Sequence, residues 1–390
     1  MSQKTNKKPH VLFLFSDTGG GHRSAAEAII EAINLEYPDQ ITYEMVDFFK
    51  KYAPPPFDKA PETYPPMARI PDVWELGYAI SDGRRRSRAI MNLLWPYVKG
   101  AALRLLEEHR CDLFLSVHPV INTPLLRTLG PYHPPYITVV TDMVSTHAFW
   151  YHRKSNLVVV PTESARDKAI NYGIDPGRVI VAGLPVADRF ATMNGNRAEI
   201  RARLGWPQDK PVVLLMGGGE GMGPVERTAL SIADAHLDMT LVVVCGKNEG
   251  LKRRLEMVNW PMPTFIYGFV TEMPNFMQAA DVLVTKAGPG TISEGFIAGL
   301  PIILFARMPG QEDGNVAYVV EEHAGVWAPR PQQVVDTLTT WITRPEERLK
   351  VAQTSRSLAR PDASRKIARI IGSQLNMGGE LKQSESLFSD

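Results

Sequence analysis

Phe15-Ser16-Asp17-Thr18-Gly19-Gly20-Gly21-His22-Arg23 closes an apolar run at 11–15 and opens a helical pattern carried by Ala25, Ala26, Ile29, Ile30 and Ile33. A strand that ends in glycines and turns into a helix is a place where backbone approaches a ligand closely. The side chain at the helix start is His22, whose ordinary pKa lies near neutrality, so it can take a proton from a hydroxyl. His22 as a plain helix cap is the competing reading.

The pattern repeats outward from this stretch. Buried-strand runs lie at 11–15, 42–46, 113–117, 137–141, 157–161 and 179–182, with helical patterns near 22–36, 98–109, 121–129 and 163–172. After Gly183-Leu184-Pro185 and a polar stretch the alternation restarts, with strand runs at 212–216, 240–244, 264–268, 282–285 and 302–305. Short apolar runs separated by helices predict parallel sheets covered on both faces. The expected architecture is α/β, two doubly wound Rossmann-like domains facing a cleft at the carboxyl ends of their strands.

Composition narrows the function. The 390 residues carry 43 basic and 42 acidic side chains, a formal net charge of +1, which gives no reason to expect nucleic acid. Cys111 and Cys245 have no metal spacing and read as buried thiols of a cytosolic chain. The first ten residues are polar and basic, without an apolar signal segment, and no run approaches the ~20 apolar residues of a membrane span. Membrane contact is expected to be peripheral.

The second half offers the ligand chemistry. The run 212–216 leads into Gly217-Gly218-Gly219-Glu220-Gly221-Met222-Gly223, a cradle suited to pyrophosphate. No Gly-Lys-Ser/Thr closes it, so it is not a Walker loop, and the next strand ends in Cys245-Gly246-Lys247 instead of the acid of a dinucleotide site. Three further groups follow strands: 268–274, 285–294 and 309–315. Together they offer a backbone slot for a base, Glu294 at a helix start for a ribose, and polar residues for a hexose. Glu294 as a simple first-turn acid is the alternative.

The segments SDTGGGHR, TDMVSTHAFWYH (141–152), GLPV (183–186), GGGEGMGP (217–224), GFVTEMPNFM (268–277), TKAGPGTISE (285–294) and GLPIILFARMPGQEDGN (299–315) resemble the monogalactosyldiacylglycerol synthases and the related diacylglycerol glucosyltransferases. More distantly, the chain is similar to the cell-wall transferase that adds N-acetylglucosamine to a lipid-linked muropeptide. The resemblance implies a GT-B fold, an inverting reaction without a tightly bound cofactor or metal, and UDP-galactose or UDP-glucose as donor. The implied acceptor is diacylglycerol. Phe269 and Val270 would frame uracil and Glu294 the ribose. Gly218, Gly219 and Gly221 would hold the phosphates, with Gly288, Gly290 and Thr291 lining the same pocket. Gln311 and Glu312 would meet the hexose, with Asn315 behind them. His22 would be the general base, and Asp142 either its orienting partner, the base itself, or a helix cap. Gly20, Gly21 and His118 would wall the acceptor side.

The implied division is residues 1–190 for acceptor and membrane, 191–345 for the UDP-sugar, 346–376 as helices packing back toward the first domain, and 377–390 as a disordered tail. Between 50 and 99 the chain is rich in Pro and aromatic residues, and these prolines argue against regular helix there. The same segment carries Arg84, Arg85, Arg86 and Arg88, a basic cluster suited to an anionic lipid surface. Trp150 is a second candidate for that edge. The expected location is cytoplasmic, at the inner face of the cell membrane. A UDP-sugar epimerase of the same fold, N-acetylglucosaminyl transfer to another lipid-linked acceptor, and a non-catalytic sensor are the alternatives.

Overall fold

The computed structural model describes residues 7–18, 20–60, 62, 71–193 and 195–377. Two parallel six-stranded sheets organise the chain. The first contains β1 (His10–Phe15), β2 (Thr42–Asp47), β3 (Leu113–Ser116), β4 (Tyr136–Val139), β5 (Leu157–Val160) and β6 (Val179–Val181), in the order β2-β1-β3-β4-β5-β6. The second contains β7 (Val212–Met216), β8 (Thr240–Val244), β9 (Thr264–Tyr267), β10 (Val282–Lys286), β11 (Ile302–Ala306) and β12 (Gly325–Trp327), in the order β12-β11-β10-β7-β8-β9. Helices cover both faces, which is why strands such as Val-Val-Leu-Leu-Met in β7 are buried throughout instead of alternating.

The strand order reverses direction between β1 and β3 in the first sheet and between β7 and β10 in the second. At such switch points the two exit loops part to opposite faces and leave a crevice at the carboxyl ends. Here the crevices hold His22 and His118 in one sheet, and the 217–223 and 286–290 loops in the other.

Two elements differ from the sequence reading. Regular helix does form within 50–99: Pro71–Ser81, and Arg84–Glu108, which runs 25 residues through Pro96. Pro71 stands at a helix start, where a missing amide costs nothing. Pro96 removes a bond at about 3 kcal/mol, outweighed by the burial of Met91, Ala101, Ala102 and Leu105 on the same helix. The 61 and 63–70 stretches of this segment lie outside the described residues, as do Gly19 and 378–390, most of the expected tail.

The last helix, Ala363–Gln374, lies on the first domain. Ile367, Ala368, Ile370 and Ile371 share a buried cluster with Phe13, Ile29 and Ile33. Arg365 forks onto Asp188 at 2.7 and 3.0 Å, and Arg369 reaches Glu36 at 2.9 Å. A Cβ on Gly372 would stand 2.1 Å from the Tyr37 hydroxyl, so only glycine permits this approach. Among the described residues no helix is long and apolar enough to cross a membrane.

Candidate active site

On the first sheet, the helix Gly20–Glu36 starts beside the exits of β3 and β4. The His22 Nδ1 lies 2.9 Å from the Thr141 Oγ1. Its ring stands edge-on to His118, with centroids 4.7 Å apart, and 6.1 Å from the Trp150 ring. Burial pushes the His22 pKa down to about 4, against a hydrogen bond to the Val117 backbone that raises it. His118 is held well below the ordinary histidine value by burial and by the neighbouring His22; its Nε2 meets the Thr18 hydroxyl at 2.9 Å. Both rings are therefore neutral at neutral pH. A Cβ on Gly20 or Gly21 would meet nothing within 4 Å, so the wall beside His22 is open.

Asp142 is buried and fully engaged. Its Oδ2 accepts from the Trp150 indole at 2.6 Å, and its Oδ1 accepts from the Gln311 amide of the second domain at 3.1 Å. Burial raises its pKa, against these two hydrogen bonds. The group bonded to His22 is thus Thr141, one residue earlier, and not Asp142. Trp150 is 0% exposed. That corrects its assignment to a membrane edge: the indole is needed inside, where leaving the Asp142 carboxylate unbonded would cost several kcal/mol.

On the second sheet, the 217–223 loop is folded tightly against itself. A Cβ on Gly217 would stand 2.2 Å from the Met222 carbonyl oxygen, and one on Gly221 (φ 60°) 2.2 Å from that of Cys245. Gly218 also has a positive φ, 71°. Gly219 and Gly290 face open space, so their backbones are accessible from the cleft. Gly288 caps the helix Pro289–Ala298 without a side-chain bond, leaving its first amides free for an anion. Thr291 lies half-buried in that first turn.

Glu294 is half-buried and makes no hydrogen bond among the described residues. Burial pushes its pKa up to about 7, offset in part by Arg189. Phe269 is 59% exposed at the rim, and Val270 packs below it against the core. Asn315 is buried and donates to the Ala287 carbonyl oxygen at 2.9 Å.

Glu312 is placed differently from expectation. It is 3% exposed, pairs with Lys286, and accepts from the Met308 amide at 2.8 Å, so its carboxylate fixes the loop instead of reaching out. Lys286 was missed by the sequence reading. Its Cε lies 3.5 Å from the position of a Cβ on Gly218, and its Nζ 3.2 Å from that of one on Gly288, between the two glycine loops. Its signal was its place at the end of β10, directly before Ala287-Gly288.

The two halves meet across one cleft. Besides the Gln311–Asp142 bond, the Gly314 amide donates to the Ser145 Oγ at 2.8 Å. Arg84, Arg85, Arg86 and Arg88 lie outside the cleft, exposed on the first turns of the helix Arg84–Glu108. The structure thus gathers His22, His118, Asp142 and Gln311 with the glycine loops, and leaves the arginines on the surface.

Residues 22–186 match the family model for monogalactosyldiacylglycerol (MGDG) synthase, and residues 212–366 that for the glycosyltransferase family 28 C-terminal domain. Monogalactosyldiacylglycerol synthase 1, chloroplastic, of Arabidopsis thaliana is 35% identical over 376 residues, 93% of this chain and 70% of that protein. The UDP-GlcNAc 2-epimerase of Neisseria meningitidis, solved with UDP-GlcNAc, superposes with a TM-score of 0.62 at 14% identity, over 93% of this chain and 100% of that one. MurG of Acinetobacter baumannii gives 0.59 at 15%, over 94% and 99%. These two likenesses establish the GT-B fold. The plant relatives are named chloroplastic, which contradicts the expected cytoplasmic location at the inner face of a cell membrane.

Proposed function

The chain belongs to the monogalactosyldiacylglycerol synthase family, and from that premise we propose that it moves a hexose from a UDP-sugar to the sn-3 hydroxyl of 1,2-diacylglycerol, with inversion, to give a β-monoglycosyldiacylglycerol. The observation that supports this best is the Gln311–Asp142 bond, which brings the His22 wall and the donor loops to one cleft.

Residues 191–345 hold the donor in this reading. Glu294 accepts both ribose hydroxyls in a fork, Phe269 and Val270 cover uracil, and the amides of Gly218 and Gly219 receive the phosphates, while the Gly221 amide, expected to join them, instead donates to the Gly218 carbonyl oxygen at 3.0 Å and holds the loop. Lys286 and the helix start at Gly288 add positive potential there. Gln311 turns from Asp142 to the hexose, with Glu312 and Asn315 fixing its loop. Residues 1–190 hold the acceptor, with Gly20, Gly21 and His118 flanking the glycerol end.

Chemistry follows from these placements. The His22 ring takes the proton of the sn-3 hydroxyl as its oxygen bonds to the anomeric carbon. The bond from that carbon to the phosphate oxygen breaks on the opposite face, and its electron pair leaves with UDP. A positioned base contributes about 10²–10⁴ in rate. Donors aimed at the departing phosphate supply a larger share, about 3 kcal/mol each where water is excluded. The Thr141 hydroxyl fixes the imidazole, and Asp142 holds the Trp150 indole beside it.

Arg84, Arg85, Arg86 and Arg88 face an anionic lipid surface in this reading, each contributing about 1 kcal/mol. The names of the plant relatives favour galactose over glucose. Measuring kcat/KM for UDP-galactose and UDP-glucose with diacylglycerol vesicles tests that choice. A preference for UDP-glucose would reverse it, and turnover of neither would remove the transferase reading.

A further inference from the structure

Trp74 belongs to the first domain but lies against the second. It lines a cavity of about 380 Å³ with Glu220, Met222, Asn248, Lys286 and Pro309. Each residue turns ~100° about a helix axis, so Tyr78 stands one turn later on the same face of the helix Pro71–Ser81. The Tyr78 ring packs where a Cβ on Gly310 would stand, 2.9 Å from Cδ1, and its hydroxyl donates to the Ser145 carbonyl oxygen at 2.6 Å. Glycine at 310 thus lets the helix come close, and Tyr78 fixes it there. The indole one turn earlier is held over the cavity.

The place of this cavity along the second sheet identifies the group that reaches it. In the strand order β11-β10-β7-β8-β9, Phe269 follows β9, the 217–223 loop follows β7, and Gly288 follows β10. A UDP-sugar with its uracil at Phe269 and its phosphates between the two glycine loops runs toward β11, and its hexose comes last. The cavity lies at that end, with Lys286 closing β10 and Pro309 following β11, two residues before Gln311. Its volume is within the ~300–1,000 Å³ of small-molecule sites. Trp74, Met222 and Pro309 give it apolar walls, and Glu220, Asn248 and Lys286 polar ones. A pyranose has the matching division, with C–H hydrogens on a face and hydroxyls around the edge.

We propose that Trp74 is a specificity-determining residue: its indole stacks on the C–H face of the donor hexose and selects galactose over glucose. This rests on the reading of the cleft as a UDP-hexose site. The two hexoses differ at C4. In galactose the 4-hydroxyl is axial, which leaves the hydrogens of C3, C4 and C5 on one face as a continuous apolar patch. In glucose the 4-hydroxyl is equatorial, and the C4 hydrogen moves to the opposite face. An indole covers the galactose patch more completely, and the negative face of its π-system attracts the polarised C–H hydrogens.

The test compares wild type with Trp74→Ala and Trp74→Phe. Steady-state kcat/KM is read for UDP-galactose and UDP-glucose with diacylglycerol vesicles, and calorimetry gives the affinities for UDP and UDP-galactose without them. Wild type should prefer UDP-galactose. Trp74→Ala should lose about tenfold in kcat/KM for UDP-galactose and less for UDP-glucose, narrowing the preference by about fivefold. Trp74→Phe keeps a ring and should recover most of it. UDP carries no hexose and should bind all variants alike, while UDP-galactose binds Trp74→Ala more weakly. A galactose-to-glucose ratio that Trp74→Ala leaves unchanged, or a UDP affinity that falls in step with that for UDP-galactose, would limit Trp74 to a structural part and overturn the proposal. A wild type that prefers UDP-glucose would overturn it as well. In each of those cases the protein still binds UDP and turns over a UDP-hexose; failure of wild type to do either overturns the donor reading and the proposal together.

Discussion

Replacing Glu294 by Gln separates the donor reading from a purely structural one, because the carboxylate is poised at an unusual pKa. In the free protein burial holds it at about 7, without a hydrogen-bond donor among the described residues. Two ribose hydroxyls donating to it would stabilise the charged form and return the pKa toward its ordinary 4.5. UDP binding then releases a proton. Above pH 7 affinity is at its full value; below, each pH unit costs about 1.4 kcal/mol, or ~10-fold, until the pKa of the complex is reached. Hydrogen bonds to a charged group are worth about 1.5–3 kcal/mol each, so losing the charge should weaken UDP by roughly 100-fold at pH 8. At pH 5 the wild-type advantage should shrink to a few-fold. The UDP phosphates titrate equally against both proteins, so the affinity ratio isolates Glu294. Stability gives an independent check. An acid whose folded pKa is raised destabilises the fold as pH rises from 4.5 to 7, by at most about 3 kcal/mol and by less given its remaining solvent contact. Glu294→Gln should therefore melt higher than wild type at pH 8 and equally at pH 4.5. Calorimetric UDP titrations across pH 5–8 decide the matter. A ratio that is flat across pH, or a variant that binds UDP like wild type at pH 8, would refute the role.

His22→Ala should lower transfer by about 10²–10⁴ and leave UDP affinity within a few-fold; loss of UDP binding would reassign the residue to the donor side. Because the folded His22 pKa is depressed to about 4, its stabilising contribution is complete above the unfolded value of 6.5 and is lost as pH falls toward 4. Denaturant midpoints should accordingly drop between pH 6.5 and 4, less steeply in His22→Gln. Lys286→Met should destabilise the fold by about 3–5 kcal/mol, since it strands the buried Glu312. Adding Glu312→Gln should restore stability without restoring UDP affinity, whereas full recovery of both would limit Lys286 to a structural pairing. A quadruple Arg→Ala change at 84, 85, 86 and 88 should release the protein from anionic vesicles in a sedimentation assay; undiminished binding would place the docking surface elsewhere.

Much of this was legible because strand and glycine signals are local. Apolar runs such as 11–15 and 212–216 became strands, and in the loop after the second, Gly217 and Gly221 stand where a Cβ would strike backbone. What escaped depends on long-range partners. β12 is three residues beside an already formed sheet edge, held by pairing with β11 and not by its own apolar pattern. The burial of Trp150 follows from Asp142, eight residues away, and Glu312 is withdrawn from the cleft by Lys286, 26 residues earlier. The helix through Pro96 survives because its packing face outweighs one lost bond, which no local rule foresees. An aromatic residue or an acid in a motif thus announces a site but not the direction in which it points.

The most direct test of the transferase reading is UDP release from UDP-galactose by the purified protein, with and without diacylglycerol vesicles, with the anomeric configuration of the lipid product read by proton NMR. The reading predicts one UDP per β-galactosyldiacylglycerol, and release that depends on the lipid. Epimerised or hydrolysed sugar appearing equally without diacylglycerol, or an α-linked product, would contradict it.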